Sequence, residues 1–189
     1  MTKKEVKKVA KQSILGGKSK QETFEELNET SKLPTKDLAK IIVGIPSLQA
    51  REKYKPLNII LIALLSLTIL FKILVGVLFI IVNGITWLPV LFIFPIINIL
   101  FLIAIATYSH DSHKWLAIFT ILALFREIPN MLGEAFGPLT LIDLAIYAGL
   151  IGLGFYLNSK FYPNYLTVKE RYTDNQGEMR MRNVVKFED

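Results

Sequence analysis

The sequence predicts an all-α integral membrane protein: a four-helix transmembrane bundle with a small N-terminal helical cytoplasmic module and a possible C-terminal β-hairpin. Of its 189 residues 52% are hydrophobic, yet 20% are charged. Such a composition fits a membrane protein when the two kinds of residue are segregated along the chain. Residues 1–55 hold thirteen Lys/Arg against seven Asp/Glu, residues 56–159 are almost uncharged, and residues 160–189 are polar again. These three ranges are the predicted module, membrane region and tail.

The central range contains four apolar runs, which we interpret as spans. A helix rises about 1.5 Å per residue, so the first run reaches about 39 Å and exceeds a hydrocarbon core of about 30 Å. In the third run, the charges Arg126 and Glu127 directly follow Phe125. This run either crosses the membrane with its charges at membrane depth or is re-entrant. The predicted spans cover about residues 57–82, 88–107, 115–132 and 138–158.

The distribution of Lys and Arg predicts the orientation. Both terminal ranges are rich in Lys and Arg, whereas the turn at residues 83–87 has none. By the positive-inside rule, both termini are cytoplasmic, as an even number of spans requires. No apolar stretch precedes Leu57, so we expect the first span to act as its own insertion signal. The Lys- and Ile-rich composition without cysteine suggests a bacterial inner membrane.

Four charged residues in the predicted spans form a candidate site: Lys72, Arg126, Glu127 and Asp143. At about 1.5 Å per residue, all four reach similar depths in the outer half of the membrane. Three interpretations stay open. The basic side chains snorkel to the interface, or the charges pair to hold the bundle in register, or the cluster is a working site such as a proton or ion path.

The predicted fourth span also carries a helix-packing face of small residues. Ala145, Ala148, Gly149 and Gly152 recur at spacings of three and four, and we expect Gly154 to extend this face. Small residues let another helix approach closely in a membrane. The partner helix belongs either to this chain or to a second copy.

The N-terminal range predicts three short helices and a linker helix that runs toward the first span. Ser19 and Glu22 have capping-box spacing, Thr35 is the expected cap of the third helix, and Gly44 its expected end. DNA binding is disfavoured because the second and third helices have no basic face. We therefore expect no nucleic acid partner. The lysines fit the positive-inside signal and attraction to anionic lipid.

The C-terminal range changes period and predicts a β-hairpin. Met179 and Met181 alternate with Arg180 and Arg182, after a turn-like stretch at residues 174–177. A lone hairpin is only marginally stable, so we expect it to pack on the N-terminal helices in one cytoplasmic cap. A disordered tail is the alternative.

The residues give little support to catalysis. The chain has no cysteine and none of the HExxH, GxSxG or Walker patterns. His110 and His113 flank Asp111 in a short loop; they either share a metal on a helical turn or, as we expect, lie in a solvated interfacial loop. We expect no metal, no cofactor and no catalytic residue.

Two functions from different classes follow from these features. The first is a non-enzymatic interaction, regulatory or anchoring protein, whose partners are the lipid bilayer and either a protein or a second copy bound through the cytoplasmic module. The second is a small oligomeric ion or proton pore, or a transporter, that uses the charge cluster. An intramembrane enzyme is a weaker third reading.

Overall fold

The computed structural model describes residues 1–133, 138–173 and 179–187. For residues 87, 90–94, 127–133, 138–139, 172–173, 180 and 182–183 the description is limited to the backbone. The described chain is mostly helical, with seven α-helices and one two-stranded sheet. It divides into two compact units. We call them the terminal unit (Met1–Lys53 with Ser159–Asp189) and the apolar unit (Tyr54–Asn158).

The terminal unit begins with the three predicted short helices. The capping box of Ser19 and Glu22 is confirmed: each residue's side chain accepts a hydrogen bond from the other's backbone N–H. Thr2 and Glu5 form a second capping box that opens the first helix. Gly17 follows that helix with φ +97°, a conformation that favours glycine. The helices are α1 (Lys3–Leu15), α2 (Lys20–Thr30) and α3 (Thr35–Val43).

The predicted cap of α3 is wrong by one residue. Pro34 is the N-cap, and Thr35 is already the first helical residue, without a side-chain hydrogen bond to the helix end. The proline ring fixes φ at −55°, so the backbone enters the helix here without a capping side chain. Gly44 does end the helix, as predicted.

The C-terminal hairpin consists of β1 (Tyr165–Thr173) and β2 (Met179–Phe187), paired antiparallel. Its strands are confirmed, while the predicted turn at residues 174–177 lies outside the described residues. The hairpin packs on the N-terminal helices. The rings of Phe187 and Phe24 lie 5.5 Å apart, and Phe187 N donates to Gln21 Oε1 at 3.4 Å. The buried core contains Val6, Ala10, Ile14, Phe24, Leu27, Leu38, Ala39, Ile42, Ile45 and Val185.

Four long helices make up most of the apolar unit. The predicted linker helix and first span form a single helix that continues through Pro56. Gly84 directly follows this helix with φ +95° and caps a short 3-10 segment, Ile85–Trp87. The helices are α4 (Leu48–Asn83), α5 (Leu88–Ala106), α6 (Ser112–Gly133) and α7 (Pro138–Phe161).

Among the described residues, two helices are long and apolar enough to cross a membrane. These are Leu48–Asn83, with a mean hydropathy of 2.7, and Thr140–Phe161, with 1.7. Pro95–Ala106 is apolar but shorter. In each of the two longer helices, only 17% of the most apolar window is buried. The predicted helical fold is therefore confirmed in its class, and two helices can cross a membrane.

Candidate functional site

The four residues of the predicted charge cluster lie on three helices. Lys72 is on α4, Arg126 and Glu127 are on α6, and Asp143 is on α7. Lys72 and Arg126 are exposed and Asp143 is half-buried, while the Glu127 side chain lies outside the described ones. Among the described side chains, no ion pair joins Asp143 to Arg126 or to Lys72. The paired cluster therefore stays a prediction.

A chain of hydrogen bonds joins α4 to α5 at Lys72. The Nζ of Lys72 donates to Oδ1 of Asn98 at 3.1 Å, and Nδ2 of Asn98 donates to Oγ1 of Thr68 at 3.0 Å. Thr68 in turn donates to the carbonyl oxygen of Leu65 at 2.7 Å. Because Thr68 and Lys72 are four residues apart, they share one helix face, and a single asparagine bridges both. We call these three side chains the Lys72 network.

Sequence reasoning selected Lys72 but missed Thr68 and Asn98. It searched for opposite charges, and both partners are neutral. A signal was nevertheless present, since Asn98 is the single amide in the apolar run of α5. Polar side chains inside apolar helices commonly hydrogen-bond across helix pairs. The neighbouring helix supplies such a pair in Thr68 and Lys72.

A second polar contact joins the start of α6 to α4 through His113. The His113 ring is completely buried, and its Nε2 lies 2.9 Å from Oδ1 of Asn58, which is also buried. Ser112 Oγ lies 3.5 Å from the other ring nitrogen. The carbonyl of Asn58 is an acceptor only, so Nε2 carries the proton and the neutral ring donates to it.

The expectation that both histidines lie in a solvated loop is correct for His110 and wrong for His113. His110 is exposed and lies 3.4 Å from Asp111. Helix α6 already begins at Ser112 and turns the His113 ring inward, whereas the His110 ring stays exposed. Burial lowers the pKa of His113 from 6.5 to about 4. His113 precedes Trp115, where the predicted third span begins, and it stays neutral at physiological pH.

Gly154 on α7 allows close approach to the same part of α6. A Cβ added to Gly154 would lie 2.9 Å from the carbonyl oxygen of His113 and 3.0 Å from Cβ of Ala117. Both contacts are shorter than ordinary van der Waals distances. His113 therefore lies at a junction where α6 is hydrogen-bonded to α4 and packed tightly on α7.

The predicted small-residue face makes one contact within the described structure, and its role in helix packing stays a prediction. Gly149 approaches Leu64 on α4, whereas Ala145, Ala148 and Gly152 are exposed. The expectation that Gly154 extends this face is wrong. Each residue turns the helix by about 100°, so Gly154, two residues after Gly152, points about 200° away from it around the helix axis. Gly154 instead belongs to the buried side of α7, with Leu150 and Leu157.

The described residues contain no group of three His, Cys, Asp or Glu side chains placed to hold a metal ion. In the apolar unit, polar side chains connect neighbouring helices at two places, the Lys72 network and His113. No family model, curated protein or solved structure matches the chain.

Proposed function

We propose that this chain is a polytopic membrane protein with four spans that anchors an interaction module at the cytoplasmic face. One observation carries the proposal. Each long helix of the apolar unit presents large apolar side chains that are more than half exposed. Leu70, Leu100, Phe125 and Leu141, one from each helix, are exposed by 64%, 61%, 66% and 61%. Large apolar side chains exposed on every long helix favour a hydrocarbon environment.

Helix lengths support four spans rather than two. At about 1.5 Å per residue, α5, the predicted third span at residues 115–132 and α7 reach about 28, 27 and 36 Å, close to the hydrocarbon thickness of about 30 Å. Helix α6 continues from Ser112 to Gly133 without a break. A re-entrant segment needs a turn at membrane depth, so continuity favours a full crossing.

The module assigned to partner binding is the terminal unit. It has its own core, built from both ends of the chain, and two of its helices begin with capping boxes. With both termini on the cytoplasmic side, this core lies outside the membrane. The polar side chains of the apolar unit join helices to each other, as a structural anchor requires.

Insertion reporters and vesicles test this proposal. We expect a reporter that is active only in the periplasm to be silent when fused after Asp189 and active when inserted at Gly84. Purified full-length protein in proteoliposomes should leave the vesicles sealed to protons and to small ions. A periplasmic C-terminus would overturn the topology.

The Lys72 network favours a second candidate, a small oligomeric ion or proton pore or transporter. Its three polar side chains lie along apolar helices, where hydrogen-bonding groups line ion paths in known membrane proteins. Under this alternative the proteoliposomes conduct, and Lys72→Met abolishes the flux while Lys160→Met leaves it unchanged. Sealed vesicles at all protein densities would exclude it.

A further inference from the structure

Helix α1 of the terminal unit presents a stripe of lysines with a distinctive geometry. Lys4, Lys7, Lys8 and Lys11 follow the spacing i, i+3, i+4 and i+7, and all four are exposed. At about 100° per residue they occupy an arc of about 100° beside the stripe that the core buries. We call these four residues the lysine stripe.

The stripe opposes the stability of its own helix. Lys4 and Lys8 are one turn apart, as are Lys7 and Lys11, and like charges at this spacing destabilise a helix. The one acid of α1, Glu5, is engaged by Thr2 in the capping box. None of the ion pairs of the described side chains involves the stripe. An anionic partner would therefore neutralise the repulsion between these lysines.

We propose that the lysine stripe is a binding site for the phosphate groups of anionic phospholipids in the cytoplasmic leaflet. This inference rests on the proposed function, which puts the terminal unit beside that leaflet. Membrane helix α4 begins at Leu48, inside the terminal unit, and α7 ends there at Phe161. Two tethers give the bilayer surface a high effective concentration around the stripe.

The residue types favour lipid over nucleic acid. The stripe is all lysine, a flexible point charge that pairs with single phosphates. It contains neither arginine for bidentate base contacts nor an aromatic ring for base stacking. Clusters of lysine near a membrane helix bind anionic lipids by charge, and each lysine close to the leaflet strengthens docking about fivefold.

The chain's lack of cysteine allows a direct test on the full-length protein. A fluorophore is attached at Gln12→Cys, an exposed position next to the stripe, and the protein is placed in nanodiscs that contain a lipid with a nitroxide quencher on its headgroup. We expect strong quenching when phosphatidylglycerol is present at low salt. Quenching should be weak in phosphatidylcholine alone and should disappear at 0.5 M NaCl, where charges are screened.

A matched pair of variants separates the stripe from overall charge. Lys7→Gln with Lys11→Gln should weaken docking about 25-fold, the product of two fivefold effects. Lys36→Gln with Lys40→Gln removes two exposed lysines of equal spacing from α3 and should leave quenching unchanged. The α1 variant should also melt no lower than the wild type, because it removes a repulsive pair. Equal loss in both variants overturns the proposal.

Other outcomes distinguish the remaining possibilities. If the protein enters nanodiscs but quenching is the same in neutral and anionic lipid, the lipid site is wrong and the anchor function stands. If the protein stays monodisperse in water and does not enter nanodiscs, the proposed function itself fails. If a short nucleic acid releases the stripe from anionic lipid at equal phosphate concentration, the partner is nucleic acid and the lipid assignment is overturned.

Discussion

The two units use the same apolar residue types in opposite ways. In the terminal unit Leu38 and Ile42 are completely buried in a closed core. In the apolar unit Leu70 and Ile81 are exposed by 64% and 72%. The terminal unit therefore buries its apolar side chains, whereas the apolar unit exposes many of its own. This difference is what the proposed function requires, in which the terminal unit is folded for water and the apolar unit for lipid.

Removing one buried leucine of the terminal unit should have the largest effect. Leu38→Ala leaves a cavity in the core and should lower the free energy of unfolding by about 2–5 kcal/mol. Leu70→Ala, on the exposed surface of α4, should change it by less than about 0.5 kcal/mol. Thermal unfolding and limited proteolysis in detergent measure both. Equal losses would contradict the assignment of two solvents.

Gly154→Ala should destabilise the apolar unit by about 1–3 kcal/mol, because the added methyl group meets the His113 carbonyl and forces α6 and α7 apart. Gly152 lies on the same helix, and nothing lies within 4 Å of its added Cβ. Gly152→Ala should be neutral or stabilise by up to about 1 kcal/mol. Thermal melts in one detergent compare the two variants, and a reversed order would refute the described packing.

His113 should make the apolar unit sensitive to acid. Its pKa is lowered to about 4 in the fold and is about 6.5 when unfolded, so its contribution is complete above pH 6.5 and is lost as the pH falls toward 4. Between pH 7 and pH 5 the stability should fall by about 1–2 kcal/mol. His113→Gln should flatten this dependence, whereas a variant of exposed His110 should retain it. A flat wild-type profile would show that His113 is accessible to water.

Two double-mutant cycles compare the Lys72 network with the predicted charge pair. Lys72→Met and Asn98→Leu remove a charge-assisted hydrogen bond and should show a coupling of about 1 kcal/mol. Arg126→Leu and Asp143→Leu should add within about 0.5 kcal/mol, because the described structure shows no ion pair between them. Thermal stability in detergent gives both couplings. A double mutant that recovers most of a loss of about 3–5 kcal/mol would restore the paired cluster.

The smallest expected effect concerns a helix cap in the terminal unit. Ser19 Oγ accepts a hydrogen bond from Glu22 N at 3.1 Å, so Ser19→Ala should cost about 0.5–1 kcal/mol. Ser31 Oγ, at the other end of α2, is buried and has no hydrogen bond among the described residues. Ser31→Ala should be neutral or slightly stabilising. Denaturation monitored by a probe in the terminal unit distinguishes them.

The sequence predicts the local elements well, because their causes are local. Capping-box spacing at Ser19 and Glu22, the glycine after α3 and the alternation around Met179 each depend on a few neighbouring residues. Thr35 shows the limit of this reasoning. Two adjacent residues can both begin a helix, and the proline ring rather than the hydroxyl determines which one does.

The polar contacts between helices could not be predicted, because they depend on how each helix is rotated about its axis. In the sequence His113 looks like part of a hydrophilic loop. In the structure α6 begins at Ser112, one residue before His113, and the helix turns the His113 ring inward. Asn98 carries no charge, so a search for opposite charges does not select it. Its role is visible only because α5 places it against Lys72. Apolar helices have almost no polar face from which their rotation can be read.

The core of the terminal unit joins residues that are made at opposite ends of translation. Val6 is among its first residues and Val185 among its last, with all four long helices between them in the chain. During translation, the apolar sides of α1, α2 and α3 are made before β2, which supplies Val185 to the same core. Val185 therefore joins this core only after all four long helices have been synthesised.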